Sequence, residues 1–252
     1  MPLAPRNGIT LHEQALGSGP PVVMLHGLLV GNLATWYWTA APVLAQTKSV
    51  LLYDLRGHGL SEKAPTGYDP RTMAADLGAV LDAFSPREPV ALVGHSYGAV
   101  IALTYALAHP DRVARLAVVE APLPPSRLEE LDAFLEKTPD EMLGALPSAL
   151  RDALASGGRR GRRFVEAMRF LAQESSLFAD VRRAEDIPDA VLATLRPPLL
   201  AVYGTESSCR PVGQRLARVV PRARLVEIEG GHFLPLERPA NVTTALTEFL
   251  DG

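Results

Sequence analysis

Residues 90–108 read VALVGHSYGAVIALTYALA, and this stretch decides the fold. It opens with an apolar run typical of a buried strand, and it closes with a segment that has the length and apolar content of a helix. Gly94 and Gly98 flank Ser96 at the turn between the two. Strand, tight turn and helix are the context of a G-x-S-x-G nucleophile elbow, where glycines let backbones approach closely and the serine hydroxyl is exposed. The stretch therefore predicts a nucleophilic Ser96, with an ordinary strand-to-helix turn as the alternative.

Short apolar, β-branched runs alternate along the chain with longer segments of helical spacing. The predicted strands are residues 22–25, 50–53, 90–93, 116–119, 199–203 and 225–228. The predicted helical segments are residues 33–46, 71–84, 97–108, 212–219 and 240–250. Continuous apolar strands joined by amphipathic helices are typical of parallel strands covered on both faces. The sequence thus predicts an α/β fold with a doubly wound, mostly parallel sheet.

One long interval, from Glu120 to the strand at 199, interrupts this alternation. It spans about 80 residues without a strand-like run, it has helical apolar spacing at residues 128–135 and 164–171, and prolines mark both of its edges. We predict a helical cap over residues 122–196, inserted into a core of residues 1–121 and 197–252. One long crossover within the core is the alternative, although it would far exceed ordinary connections in length.

Composition limits the classes of partner. The 252-residue chain is 47% hydrophobic with a formal net charge of -3, which lacks the basic footprint that nucleic-acid binding needs. No apolar run reaches the roughly 18 residues of a membrane span. The start MPLAPRNG lacks the charged and apolar regions of a secretory signal, and the single Cys209 excludes an internal disulfide. We expect a cytoplasmic protein with no nucleic-acid partner and no membrane span.

A basic run, GGRRGRR at residues 157–163, lies inside the predicted cap. Such runs are mostly solvated loops or helix starts, which is the first interpretation. Docking of an acidic carrier protein or a phosphate-bearing acyl carrier is the second interpretation.

A serine hydroxyl becomes a nucleophile only when a base takes its proton. The glycine-led loop EGGHFLPLE at residues 229–237 follows the last predicted strand, and its flexible backbone allows His232 to reach back toward the elbow. His232 is therefore the predicted base. His12, His58 and His109 lack such a context and are expected to be structural or exposed, and His95 points the wrong way to serve its neighbour Ser96. The developing oxyanion needs fixed donors, and we expect them to be the backbone amides of Tyr97 and Leu28.

Four stretches match one family in order and spacing: LHGLL (25–29), YDLRGHGLS (53–61), GHSYG (94–98) and GGHFLPLERP (230–239). Together they resemble the cap-bearing branch of the α/β-hydrolase fold family. The resemblance implies an eight-stranded-type, mostly parallel sheet with a helical cap inserted after the sixth strand. It also implies hydrolysis of esters, thioesters, epoxides, carbon–halogen bonds or carbon–carbon bonds. Members that act on epoxides or halides carry an aspartate at the nucleophile position, so Ser96 argues against those two chemistries.

The acid that orients the histidine is ambiguous. The family usually supplies it after the seventh strand as Gly-x-x-Asp, but residues 204–207 read GTES and place Ser207 at that position. Glu206 serves only if the loop re-forms, because adjacent residues project in different directions. Glu120 ends the sixth strand, as the acid does in some members, and adjacent strands lie only about 4.8 Å apart. We favour Glu120, with Glu206 as the alternative, and we do not expect Asp54 to be catalytic.

The predicted substrate is an acyl ester or thioester of a mainly apolar, small-to-medium group, cleaved through an acyl-enzyme. The residues predicted to line its site, some of which are equally compatible with the core, are His26, Gly27, Leu29, Trp36 and His95. No metal or cofactor is implied, whereas an acyl carrier protein or CoA ester is an open possibility as partner. The alternatives are a carbon–carbon hydrolase, an acyl transferase or carrier-release enzyme, and a non-catalytic ligand-binding receptor.

Overall fold

The computed structural model of the chain describes residues 3–85, 87–123, 137–144, 151–152 and 158–252. The strands are β1 (Leu3–Arg6), β2 (Ile9–Leu16), β3 (Pro21–Leu25), β4 (Ser49–Tyr53), β5 (Val90–His95), β6 (Val113–Val119), β7 (Leu199–Gly204) and β8 (Ala223–Ile228). The helices are α1 (Ala34–Tyr37), α2 (Ala41–Leu44), α3 (Pro70–Phe84), α4 (Tyr97–Ala108), α5 (Pro139–Gly144), α6 (Arg159–Gln173), α7 (Leu177–Arg183), α8 (Asp189–Leu192), α9 (Arg210–Val219), α10 (Leu234–Glu237) and α11 (Pro239–Asp251). A short 3₁₀ turn, Pro110–Arg112, precedes β6.

The described strands form one eight-stranded sheet in the order β1-β2-β4-β3-β5-β6-β7-β8. β2 pairs antiparallel with both β1 and β4, whereas every pair from β4 to β8 is parallel. All six residues of β5 are buried, and its carboxyl end lies between the carboxyl ends of β3 and β6. The turns that follow β3, β5 and β6 therefore lie close together at one edge of the sheet.

Helices cover both faces of the sheet, which confirms the doubly wound architecture. One buried apolar cluster includes Leu77 of α3, Ile101 of α4 and Leu216 of α9. The other cluster includes Leu44 of α2 and Leu246 of α11. Burial on both faces is the reason that the central strands are continuous apolar runs rather than alternating ones.

The six predicted strands are confirmed with small boundary shifts, and four of the five helical segments are confirmed as single helices. The segment 33–46 instead forms two helices, α1 and α2, since Pro42 lacks the N–H that a continuous helix needs there. β1 and β2 were not predicted. They are the two antiparallel strands at one end of the sheet, with β1 at its edge, and their mixed exposure means that they lack the apolar runs that mark the other strands.

The predicted cap falls partly outside the described residues, including its apolar spacing at 128–135. The described part of the interval contains α5 to α8, and the spacing at 164–171 lies in α6. Met168 and Leu171 of α6, with Leu177 and Val181 of α7, are buried in the same apolar cluster as the core helices. The cap as a separate unit stays a prediction. In the described part of the chain, no helix has both the length and the apolar character needed to cross a membrane.

Candidate active site

Ser96 occupies a strained turn between β5 and α4. Its backbone has φ 53° and ψ -126°, a conformation that is unfavourable for a residue with a side chain. The turn is held by close packing, because a Cβ on Gly94 would lie 2.4 Å from Ala99 Cα and a Cβ on Gly98 would lie 2.4 Å from the His26 carbonyl oxygen. The Ser96 N–H also donates to the Val119 carbonyl at 2.8 Å. This geometry is that of a nucleophile elbow at a helix N-terminus.

The turn after β3 packs directly against the nucleophile. A Cβ on Gly27 would lie 3.0 Å from Ser96 Cβ, so a side chain at this position would require the elbow to shift by a few tenths of an ångström. Leu29 has a positive φ of 64°, and its N–H donates to His58 Nε2 at 2.8 Å. Among the described residues, the Leu28 amide donates to no protein group. The amide of Leu29 is thus occupied by the fold, and that of Leu28 is left for a ligand.

Two buried histidines hold this turn as neutral hydrogen-bonding groups. His26 Nδ1 donates to the Gly27 carbonyl at 2.7 Å, and its Nε2 accepts from the Leu55 N–H at 3.0 Å. His58 Nδ1 donates to the Arg56 carbonyl at 2.8 Å. Burial lowers the pKa of His26, and burial together with neighbouring His26 lowers the pKa of His58 to about 3. Both rings therefore stay uncharged and keep their acceptor nitrogens near neutral pH.

The structure brings the predicted base to the predicted nucleophile. His232 Nε2 lies 2.9 Å from Ser96 Oγ, and His232 Nδ1 lies 3.3 Å from Glu120 Oε2. A carboxylate only accepts hydrogen bonds, so Nδ1 carries the proton and Nε2 is free to accept from the serine hydroxyl. His95 Nε2 donates to the His232 carbonyl at 2.9 Å and fixes the backbone of the loop. Nucleophile, base and acid thus form one hydrogen-bonded series.

Glu120 is fully buried at the end of β6 and has a positive φ of 57°. Its carboxylate accepts from the Gly204 N–H through Oε1 and from the Ser207 hydroxyl through Oε2. The Ser207 oxygen in turn accepts from the Cys209 N–H at 3.1 Å. Glu206 is exposed, and its N–H donates to the Gly230 carbonyl at 3.0 Å. The structure therefore brings Glu120, rather than Glu206, to the histidine.

Two opposing effects act on the pKa of His232. Burial disfavours the imidazolium, but the contacts with Cys209 and the Glu120 carboxylate outweigh it and raise the pKa of His232 above its ordinary value. A raised pKa favours the imidazolium that forms when Nε2 takes the serine proton.

Sequence reasoning assigned no role to Ser207 or Cys209. Cys209 Sγ lies 3.8 Å from His232 Nδ1, and the Ser207 hydroxyl supports the acid. The only signal was that Ser207 stands where the family usually has its aspartate. Cys209 is 23 residues from His232 in the chain, so no local spacing connects the two.

The predicted substrate-lining residues separate into two groups. Gly27 borders Ser96. Trp36 does not line the site as predicted: its ring is fully buried, packs edge-on to His95, and donates from Nε1 to the Leu25 carbonyl at 2.9 Å. Trp36 is a core residue because the fold satisfies both its apolar surface and its N–H. The other three residues of this prediction are also buried and act through the backbone around the site: His26, Leu29 and His95.

Asp54 lies in the fold rather than in the site. Its carboxylate accepts from the N–H groups of Leu33 and Leu60 and contacts His12 Nδ1 at 2.7 Å. Every described partner of Asp54 is therefore structural.

A cavity of about 1360 Å³ opens between α3, α4 and residues 183–191. Its described lining contains none of Ser96, His232 and Glu120. The position of the three reacting groups, rather than the size of this cavity, therefore locates the candidate site.

A serine on a strained elbow, a histidine within hydrogen-bonding distance and a buried carboxylate define a protein of the hydrolase class. The family model described as "alpha/beta hydrolase fold" matches residues 20–154. The chain belongs to the alpha/beta hydrolase fold family and is a hydrolase.

Individual relatives cover different shares of the chain. A soluble epoxide hydrolase from Corynebacterium sp. (strain C12) is 36% identical over 130 residues, which is 51% of this chain and only 43% of that protein. Epoxide hydrolase A from Mycobacterium tuberculosis is 30% identical over 99% of this chain and 97% of its own length. The solved structure of Est816, described as an N-acyl homoserine lactone degrading enzyme, superposes with a TM-score of 0.78 at 28% identity, over 98% of this chain and 100% of its own.

Proposed function

We propose that the chain is a serine hydrolase that cleaves an acyl ester or thioester through Ser96, His232 and Glu120. The observation that carries the proposal is the 2.9 Å distance between His232 Nε2 and Ser96 Oγ, with the Glu120 carboxylate on the far side of the imidazole. A nucleophile and base in hydrogen-bond reach, with the base oriented by a third group, are the signature of activated-serine chemistry.

Acylation begins when Ser96 Oγ attacks the carbonyl carbon of the substrate and His232 Nε2 takes the hydroxyl proton. The Leu28 and Tyr97 amides are the proposed donors to the resulting oxyanion, since Tyr97 directly follows Ser96 and Leu28 follows Gly27, which packs against Ser96. Glu120 holds Nδ1 as the donor and stabilises the imidazolium. Collapse of the tetrahedral intermediate then moves the proton from Nε2 to the leaving alcohol or thiol, which leaves an acyl group on Ser96.

Deacylation repeats these steps with water. His232 Nε2 takes a proton from the water that attacks the acyl carbonyl, the same amides hold the second oxyanion, and the proton returns to Ser96 Oγ as the acid departs. Each proton that leaves an oxygen in one step is delivered to an oxygen or sulfur in the next, so the proposed cycle closes without a cofactor.

The proposed substrate is mainly apolar and of small to medium size. Leu28 and Val30 flank the oxyanion turn as partly buried apolar side chains, and an apolar lining is typical of small-molecule sites. Est816 is described as acting on a lactone, which is a cyclic ester, and this relationship supports an acyl–oxygen substrate. The relatives named as epoxide hydrolases do not extend this proposal to epoxides, because this chain has a serine at the elbow.

A non-catalytic receptor is the less favoured reading, because a ligand-binding protein has no need for a serine held in a strained conformation beside an oriented base. Carbon–carbon hydrolysis and acyl transfer to a carrier would use the same three residues. The basic run at 157–163 supports the carrier alternative only through its charge.

The test is hydrolysis of p-nitrophenyl acetate and p-nitrophenyl butyrate by the purified chain. We expect saturable turnover that Ser96→Ala abolishes, together with stoichiometric labelling of Ser96 by a fluorophosphonate. Labelling at another residue, or equal turnover by Ser96→Ala, would refute the serine mechanism.

A further inference from the structure

Three metal-ligating atoms converge beneath the triad histidine. A carboxylate oxygen of Glu120, the Sγ of Cys209 and the Nδ1 of His232 all lie within 4.8 Å of one another. They come from three separate segments: the end of β6, the loop before α9 and the loop after β8. Oxygen, thiolate sulfur and imidazole nitrogen are the ligands that Zn²⁺ takes in proteins.

The separations fit a tetrahedral zinc ion. With ordinary Zn–N, Zn–O and Zn–S bond lengths, tetrahedral geometry sets the N···O separation at about 3.4 Å and the N···S separation at about 3.6 Å. The corresponding distances are 3.3 Å from His232 Nδ1 to Glu120 Oε2 and 3.8 Å from His232 Nδ1 to Cys209 Sγ. Two of the three separations therefore match tetrahedral zinc to within about 0.2 Å, and the third, between Glu120 and Cys209 Sγ, lies within 4.8 Å.

The neighbouring groups favour such an ion. The Ser207 hydroxyl donates to Glu120 Oε2 and so holds this carboxylate oxygen in place. The closest cation along the chain, Arg210, is turned away and paired with Glu227 at 2.6 Å. The His232 side chain is 32% exposed, whereas Glu120 and Cys209 are buried. A thiolate ligand selects zinc-like cations over magnesium or calcium.

We propose that Glu120, Cys209 and His232 form an inhibitory Zn²⁺ site. Bonds form from the metal to Oε2, Sγ and Nδ1, while the S–H and Nδ1–H bonds break. The Nδ1 proton is transferred through solvent to Nε2, the thiol proton is released, and no electrons are exchanged. An imidazole with its proton on Nε2 cannot accept from Ser96, so bound zinc switches off the nucleophile.

The site is tested first by binding, which does not depend on turnover. Cobalt(II) is titrated into the Ser96→Ala chain, and the thiolate-to-cobalt charge-transfer absorption is recorded. Because the chain has a single cysteine, this band reports on Cys209 alone. We expect a saturable one-to-one band that Zn²⁺ displaces and that Cys209→Ala removes. The matched control His109→Asn, which replaces an exposed histidine, should keep the band. Absence of the band, or one that survives Cys209→Ala, overturns the proposal.

The effect on turnover rests on the proposed function and is measured separately. Initial rates with p-nitrophenyl acetate are normalised to each variant's own rate without metal. We expect Zn²⁺ to lower kcat with little change in KM, chelation to restore it, and Cys209→Ala to require at least tenfold more Zn²⁺ for half inhibition. Equal sensitivity of wild type and Cys209→Ala overturns the inhibitory role. A cobalt band in a chain without esterase turnover would instead contradict the proposed hydrolase function and leave the metal site standing.

Discussion

Replacement of Glu120 by glutamine is the sharpest test of the proposed triad. Glutamine keeps the length and shape of the side chain but turns one carboxylate oxygen into an NH₂ group. The Gly204 N–H is fixed by the backbone and already donates to Oε1, so the amide oxygen is expected to remain there. The NH₂ group then faces His232 Nδ1, 3.3 Å from the present oxygen. Two donors cannot share a hydrogen bond, so the imidazole proton moves to Nε2.

The magnitude follows from losing the productive tautomer. A comparable aspartate-to-asparagine change in a serine-protease triad lowers kcat about 10⁴-fold, and we expect about 10³- to 10⁴-fold for Glu120→Gln. At about 1.36 kcal/mol per tenfold change, this corresponds to about 4–5.5 kcal/mol of lost transition-state stabilisation. The free energy of unfolding should fall by less than about 3 kcal/mol, since the substitution leaves at most one buried polar partner unsatisfied.

The assay compares kcat for p-nitrophenyl acetate in Glu120→Gln and Glu206→Gln, with Ser96→Ala as the background. Glu206→Gln is the matched control, because Glu206 is the exposed glutamate of the adjacent loop; its kcat should stay within about twofold of wild type. Thermal denaturation establishes that each variant is folded. If folded Glu120→Gln keeps more than a tenth of the wild-type kcat while Glu206→Gln loses its activity, the assignment of the acid is wrong.

Three further predictions concern the same site. Because kcat/KM requires neutral His232, whose pKa is raised, activity should fall as pH drops through a value above 6.5; a midpoint at or below 6.5 in the pH profile would contradict this. Ser207→Ala removes a hydroxyl donor to the buried acid, so steady-state kinetics should show kcat about tenfold lower at unchanged KM, consistent with one charged hydrogen bond. Wild-type kcat in that variant would exclude its positioning role. Gly98→Ala would place a Cβ 2.4 Å from the His26 carbonyl, so calorimetry should show Tm lowered by about 2–12 °C. Gly144→Ala is the control, since no atom of the described residues lies within 4 Å of a Cβ at that position, and equal Tm values for the two variants would contradict the packing argument.

The sequence predicted the elements that bring the site together because their signals are local. The apolar run of β5 and the glycines around Ser96 lie within ten residues, and the loop that carries His232 directly follows a strand. Once the strands are parallel, their carboxyl ends must meet at one edge. The order of segments along the chain was therefore enough to predict that Ser96, Glu120 and His232 converge.

Features set by contacts between distant segments could not be predicted in the same way. Trp36 is apolar with one N–H, which suits a ligand pocket and a core equally. Its complete burial and its bond to the Leu25 carbonyl assign it to the core. The proximity of Cys209 to His232 depends on the conformations of two separate loops, one after β7 and one after β8. Strand β2 gave a weak signal because only three of its eight residues are buried, so it lacks a long apolar run.

The position of the acid follows from the pairing of β6 with β7. Val119 lies opposite Val202, and the Glu120 N–H donates to the Val202 carbonyl at 3.0 Å, so the residue that follows β6 is held against the neighbouring strand. From there the carboxylate meets the Gly204 N–H and the Ser207 hydroxyl, which are the donors of the loop where the family usually places its aspartate. A carboxylate in that loop would face Glu120 as a like charge in a buried site, which is strongly unfavourable. The serine in this loop and the glutamate after β6 therefore act together. Glu120 supplies the negative charge, and the Ser207 hydroxyl orients the carboxylate that carries it.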